Sequence, residues 1–176
     1  MKKVKLYIAT SLDGYIARPD GKLDWLDAVP NPDKLDYGYF AFYDSVDTVI
    51  MGRKTYEEVL GFGVPWPYPD SKSYVLTKSG KGEAKTENTE IYAGDIKELV
   101  DKLNAEGGKD VWLVGGGELV TAFLNLDLID EMIISIAPTI IGEGIPLFPN
   151  KPKDSTWKLA GTESFPNGMV ILTYTK

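Results

Sequence analysis

Two glycine-marked junctions hold most of the residues of this chain that could do chemistry. In "VIMGRKTYEEVL" (49–60) an apolar run gives way to a helical pattern whose first turn carries Arg53 and Lys54. A helix N-terminus already bears roughly +0.5 of an elementary charge from its aligned peptide dipoles, so two cations there are disfavoured unless they face an anion. In "VWLVGGGELVTAFL" (111–124), Gly115, Gly116 and Gly117 stand between a short apolar run and a second helix. Glycine lets backbone approach a ligand closely, and the helix behind it offers free N–H groups to a phosphate. Taken alone, a triple glycine is as readily a tight turn; beside the Arg53-Lys54 junction the phosphate reading is the stronger. Neither common phosphate loop matches. No Gly-Lys-Ser/Thr follows the glycines, and Val120 stands where a dinucleotide fingerprint has its third glycine.

The chain has no histidine and no cysteine, which removes the commonest catalytic base, a thiolate nucleophile, disulfides and Cys-ligated metals. Proton transfer therefore falls to Asp, Glu, Tyr or water. The net charge of −7 argues against a nucleic-acid partner, which needs a basic stripe, but not against a small phosphorylated ligand in a local basic pocket. The N-terminus lacks the apolar core of a signal peptide, and no window reaches the roughly 18 apolar residues of a membrane span. A cytoplasmic protein without a membrane partner is the expectation. At 176 residues and 43% hydrophobic content, residues 1–176 read as one globular domain.

The elements that must position these residues alternate. "VKLYIA" (4–9), "TVIM" (48–51), "KSYVLT" (72–77) and "VWLV" (111–114) predict strands, several apolar enough to be buried on both faces. Helical patterns span 33–46, 94–108 and 118–125; the second has Asp95 as N-cap, Glu98 completing a capping box and Gly107 as stop. Such alternation implies crossover connections and a mostly parallel sheet. At the C-terminus, "EMIISIAPTI" predicts a strand, and "WKLAGTESFPNGMVILTYT" an antiparallel hairpin turning at Asn167-Gly168. The stretch "GFGVPWPYPDSK" (61–72) reads as a surface loop or ligand flap.

The succession "SLDGYIA", "VIMGRKTYE", "YVLTKS", "VWLVGGGELVTAFL" and "IDEMIISIAPTIIGEGIPLF" resembles the dihydrofolate reductase-like superfamily over almost the whole chain. The last segment is most similar to the reductase domain of riboflavin biosynthesis, which reduces a pyrimidine ribosylamine phosphate. The resemblance implies a three-layer α/β fold, with a mostly parallel central sheet of about eight strands closed by a C-terminal antiparallel hairpin. It also implies an NADPH-dependent reductase of a small nitrogen heterocycle, working as a homodimer. Dihydrofolate reduction, or nucleotide binding without turnover, are the alternative activities.

Carried over by motif, Gly52, Arg53, Lys54 and Thr55 would hold the pyrophosphate and the adenosine 2′-phosphate of NADPH, with Leu76, Thr77 and Lys78 as the opposite wall. Gly115, Gly116, Gly117, Glu118 and Leu119 would wrap the pyrophosphate and nicotinamide side, and Ala9 and Ile16 would offer backbone contacts to the carboxamide. Asp36 aligns with the buried carboxylate that serves proton transfer in folate reductases, and Phe40 with the aromatic wall behind it. An exposed first-turn aspartate is the competing reading of Asp36. Asp13 would contact substrate or close a turn, and Trp25, Tyr37 and Trp66 would line a flat ring pocket or fill the core. Two positions depart from the pattern: Gly115 replaces the glutamate of riboflavin-pathway reductases, and Ser135 is the hydroxyl nearest to the folate reductases' threonine.

Overall fold

Successive residues of a strand point to opposite faces, so the uninterrupted apolar run 49–51 requires cover on both sides. In the computed structural model, which describes residues 1–176, Val49, Ile50 and Met51 are all fully buried. Ile50 joins one core cluster with Leu6, Tyr74, Leu99, Leu113 and Phe123. Val49 and Met51 join a second with Tyr56, Val59, Val75 and Trp112. A sheet with a core on each face is the middle of three layers.

In chain order the elements are β1 (Val4–Thr10), β2 (Tyr15–Ala17), α1 (Asp24–Asp27), α2 (Tyr39–Asp44), β3 (Val46–Gly52), α3 (Arg53–Leu60), β4 (Lys72–Leu76) and β5 (Thr89–Tyr92). There follow α4 (Ile96–Glu106), β6 (Asp110–Gly115), α5 (Gly117–Asn125), β7 (Glu131–Ile136), β8 (Ile145–Pro146), β9 (Lys158–Ser164) and β10 (Val170–Thr175). The main sheet has the order β5-β4-β3-β6-β1-β7-β10-β9. Its first six strands are parallel, joined by the crossovers that parallel pairing demands. β10 runs antiparallel to both β7 and β9. Consequently Gly52, Leu76, Gly115, Thr10 and Ile136 end their strands at one edge of the sheet, where open α/β folds place their ligand crevice.

The N-cap and stop signals of α4 read correctly, without the reciprocal Glu98 bond of a capping box. Asp95 Oδ1 accepts the Lys97 and Glu98 N–H groups at 2.8 and 3.1 Å, and Gly107 stops α4 at φ 69°. The 33–46 helix does not form at that length: Tyr37 and Gly38 take φ of 53° and 80°, so the chain turns there and only Tyr39–Asp44 is helical. The 61–72 segment is not a free flap either. Tyr68 is buried with its ring centroid 5.2 Å from that of Trp112, and Trp66 packs on Tyr56 and Tyr68, pinning the loop to the second core. β5 and the small β2–β8 ribbon were not foreseen from the sequence pattern.

Candidate functional site

Neighbouring strands β3 and β6 each pass directly into a helix, through Gly52 into α3 and through Gly116 into α5. Neither helix start carries a side-chain cap. Their first-turn N–H groups, which lack intrahelical acceptors, are therefore left for an anion. The two junctions are tied together, since the Gly116 N–H donates to Thr55 Oγ1 at 3.0 Å. The Gly115–Gly116 peptide is cis.

Arg53 links this pair to a third strand end. Its Nε pairs with Glu57 at 2.8 Å, and a terminal nitrogen donates to the Lys81 carbonyl at 2.8 Å, on the segment that leaves β4. Thr77 begins that segment and its Oγ1 accepts the Gly80 N–H at 2.8 Å; Lys54 and Lys78 are exposed. Gly52–Thr55, Leu76–Lys78 and Gly115–Gly116 are thus brought to one place. Gly117 has a different task, because a Cβ there would collide with the Pro146 carbonyl and press on the Pro149 ring. Glu118 is exposed, while Leu119 and Ile16 are half-buried against the first core. Two neighbouring helix starts without a side-chain cap, with Arg53, Lys54 and Lys78 on the adjoining segments, suit a dinucleotide's pyrophosphate and one further phosphate.

Across β1 from these strands lies a cavity of about 330 Å³. Tyr7, Ala9 and Ser135 form one wall, Ala9 and Ser135 being paired in register on β1 and β7. Leu26, Asp27, Val29, Asn31 and Tyr37 supply a second wall, and Met169, just before β10, completes it. An apolar lining with a few polar atoms is the usual composition of a small-molecule site. Tyr7 donates to the Tyr37 carbonyl at 3.2 Å and stacks on Phe42 at 4.4 Å. Burial, followed by the charge of Asp36, pushes the Tyr7 phenol up to about 12, so it stays protonated at neutral pH. Asn31 braces its own segment through two hydrogen bonds with Leu35, at 2.8 and 2.9 Å. Ile8 lies 3.5 Å from the position a Gly115 Cβ would take, so β1 is a wall shared by cavity and glycine junction. A second cavity, about 280 Å³ and lined by Asp44, Asp47, Asp70 and Lys109 among others, lies at the opposite, N-terminal ends of the strands, away from the crevice.

On the ring side the structure falls with the second of the paired readings for Asp36, Asp13 and Trp25. Asp36 is exposed rather than buried; Oδ1 accepts the Gly38 N–H at 3.2 Å and Oδ2 the Phe40 N–H at 3.1 Å, so it closes the turn that replaces the first part of the predicted helix. Phe40 is 68% exposed and does not line the cavity. Asp13 clamps two loops, accepting the Ser11 hydroxyl at 2.6 Å and the Ile141 and Gly142 N–H groups at 3.2 and 2.8 Å. The Ser11 bond, ahead of the two amides, holds its carboxyl below the ordinary range. Trp25 is only 2% exposed and packs with Ala137 and Met169, backing the cavity from behind, with its Nε1 unpartnered. Of the aromatic residues named from the sequence, Tyr37 alone lines the cavity. Tyr7, Asp27, Asn31 and Met169 were missed. Tyr7 was within reach of sequence reasoning, because i and i+2 share a strand face and Ala9 was already named.

The family model described as the RibD C-terminal domain matches residues 68–171. Over 164 residues the chain is 43% identical to the uncharacterized protein YwjB of Bacillus subtilis (strain 168), covering 93% of this chain and 92% of that one. The crystal structure of a candidate riboflavin biosynthesis protein from Shewanella sp. PV-4 superposes with a TM-score of 0.90 at 36% identity, covering 98% of each chain. The riboflavin biosynthesis protein RibD of Corynebacterium ammoniagenes is 29% identical over 156 residues, which make up 81% of this chain and 44% of that one. Matched by the family model over more than half its length, and end to end by chains of its own size, this protein belongs to the RibD C-terminal domain family within the dihydrofolate reductase-like superfamily.

Proposed function

We propose that the protein is an NADPH-dependent oxidoreductase that reduces a small nitrogen heterocycle, most like the 5-amino-6-(5-phosphoribosylamino)uracil reductases of riboflavin biosynthesis. The observation that carries this reading is the pairing of two neighbouring uncapped helix starts, with Arg53 and Lys54 in the first turn of α3 and Lys78 just past β4, with a ring-sized cavity on the far side of β1. When bound, NADPH supplies a hydride from nicotinamide C4 to the carbon of a C=N bond, and the nitrogen takes up a proton. Gly52, Thr55 and Gly116 hold the pyrophosphate against the α3 and α5 N-termini, and the three cations hold the 2′-phosphate. Ala9, on the shared strand, borders both partners. Asp27, the carboxylate that lines the cavity, passes a proton from water to the substrate nitrogen. Tyr7 positions the ring, its own proton committed to the Tyr37 carbonyl.

Dihydrofolate reduction is the weaker reading, because the carboxylate it would use, Asp36, does not line the cavity and is occupied by backbone N–H groups. Titration of the protein with NADPH and NADH, followed by nicotinamide fluorescence, tests the cofactor assignment. NADPH is expected to bind at least about tenfold more tightly, as one charge-assisted bond of roughly 1.5–3 kcal/mol already requires. Equal affinities would remove the 2′-phosphate role of Arg53, Lys54 and Lys78.

A further inference from the structure

Building on the reductase reading, we infer that the cavity beside β1 selects a nitrogen heterocycle that carries no phosphate and no other negative charge. Asp27 is the only charged residue in its lining, and no lysine or arginine reaches it. A second carboxylate, Asp36, acts on the Tyr7 phenol from nearby. The cations of the adjoining segments do not line it: Arg18 Nε pairs with Asp24 at 2.7 Å, and Lys22 Nζ with Asp20 at 3.2 Å. Lys34 stands exposed on the turn in which its N–H donates to the Asn31 carbonyl at 3.1 Å. Lys34 is absent from the cavity lining.

A phosphate placed here would meet the Asp27 carboxylate with no cation in the lining to compensate. The contrast within the same molecule is sharp, since Arg53, Lys54 and Lys78 all lie on the dinucleotide side. What the cavity does offer is acceptors: the Asp27 carboxylate, the Ser135 oxygen and the Tyr7 phenol oxygen, whose proton already goes to Tyr37. These match a ring bearing N–H or amino groups. At about 330 Å³ the cavity lies near the low end of the roughly 300–1,000 Å³ range of ligand sites, room for one ring system.

Two flat probes of similar size and opposite charge preference test the inference: 2,4-diaminopyrimidine and orotate, the anionic 6-carboxylate of uracil. They are titrated calorimetrically into the full-length protein saturated with NADP⁺, so that the dinucleotide cations are occupied. Diaminopyrimidine is expected to bind at least about tenfold more tightly than orotate, Asp27→Asn to narrow that gap and Asp27→Lys to reverse it. Orotate binding as tightly as diaminopyrimidine to the unaltered protein, or neither probe binding, overturns the inference. In a second arm, NADPH oxidation is followed with a pyrimidine ribosylamine and with its 5′-phosphate, and the unphosphorylated form is expected to react faster. Faster reaction of the phosphate ester overturns the inference while leaving the reductase reading intact. No oxidation with either, alongside a preserved preference for diaminopyrimidine, overturns the reductase reading and leaves the charge selectivity of the cavity standing.

Discussion

The two sides of β1 solve opposite electrostatic problems with different parts of the chain. On the β3–β6 side, backbone N–H groups at two glycine-led helix starts and three basic side chains converge, and only one carboxylate, Glu57, pairs with them. On the β7 side, a cavity of side chains from four separate segments contains one carboxylate and no cation. The first side is built on backbone N–H groups with basic side chains beside them, and the second on side chains alone. This difference decides which substitutions are tolerated where. Glycines that admit a ligand cannot grow, whereas cavity residues can change identity and retune specificity without touching the dinucleotide side.

The largest expected effects come from removing the charge on each side separately. Replacing Arg53, Lys54 and Lys78 together by Gln should weaken NADPH binding about a thousandfold, taking each charge-assisted bond at its lower value of about 1.5 kcal/mol. NADH binding should change little, and the melting temperature should stay near that of the unaltered protein because all three side chains are exposed. Asp27→Asn should do the converse: NADPH affinity is kept, and turnover falls by about 10²–10⁴, the usual contribution of a positioned acid or base. Stopped-flow and fluorescence titration read the two quantities independently. A loss of NADPH affinity in Asp27→Asn would show that the two sides are not separable.

Next in size is Trp25→Ala, which should cost about 3–5 kcal/mol in urea unfolding, the range for truncating a large buried aromatic. Trp25 touches no ligand directly; it packs with Ala137 and Met169 behind the cavity. Cofactor affinity of the folded fraction should be unchanged while ring binding weakens, because Met169 loses its support. Unaltered stability would mean that the site collapses around the gap and that the cavity wall is softer than its packing implies.

Legibility in the sequence followed the same division. The glycine junctions announce themselves locally, in "GRKT" and "GGG" placed between an apolar run and a helix, and both were readable from the change of period alone. The cavity has no such signature. Tyr7, Asp27, Ser135 and Met169 meet only because β1 pairs with β7, and β7 with β10, in a particular register. Asp36 misled for a physical reason: the aromatic run 37–43 keeps a helical look through Gly38, yet positive φ at Tyr37 and Gly38 turns the chain and leaves the carboxylate outside. The edge strand β5 escaped notice because "TEIY" is only half-buried and lacks a long apolar run.

Adjacent glycines of the second junction offer a finer test. A Cβ on Gly117 would collide with the Pro146 carbonyl, so Gly117→Ala should destabilise the fold by about 1–3 kcal/mol, as overpacking does. A Cβ on Gly116 would meet only Thr55 Oγ1, at 3.3 Å, and a few tenths of an ångström of movement relieves it. Gly116→Ala should therefore unfold near the unaltered midpoint yet bind NADPH several-fold more weakly, since the methyl stands where the backbone must approach the pyrophosphate. Thermal unfolding and fluorescence titration on both variants settle the assignment. Identical behaviour would mean that one role, structural or ligand-binding, covers the whole glycine run.

The smallest expected effect is that of Asp36→Asn, and its smallness is what matters. In this fold the carboxylate serves the backbone: its two oxygens accept the Gly38 and Phe40 N–H groups at 3.2 and 3.1 Å and thereby fix the turn ahead of α2. An asparagine keeps one accepting oxygen and tolerates the same geometry, so stability should drop by no more than about 1 kcal/mol. Asp36 also raises the Tyr7 phenol, second to burial, so its neutralisation should move that phenol down toward its ordinary value while leaving it protonated at neutral pH. Turnover should accordingly stay within about threefold of the unaltered enzyme at neutral pH, far short of the 10²–10⁴ expected of a positioned acid or base. The tyrosinate absorbance titration should shift downward in alkali, whereas the acid limb of the pH–rate profile should be unmoved. A fall in turnover of a hundredfold or more, recovering in acid, would return the proton relay to Asp36 and make Asp27 a bystander.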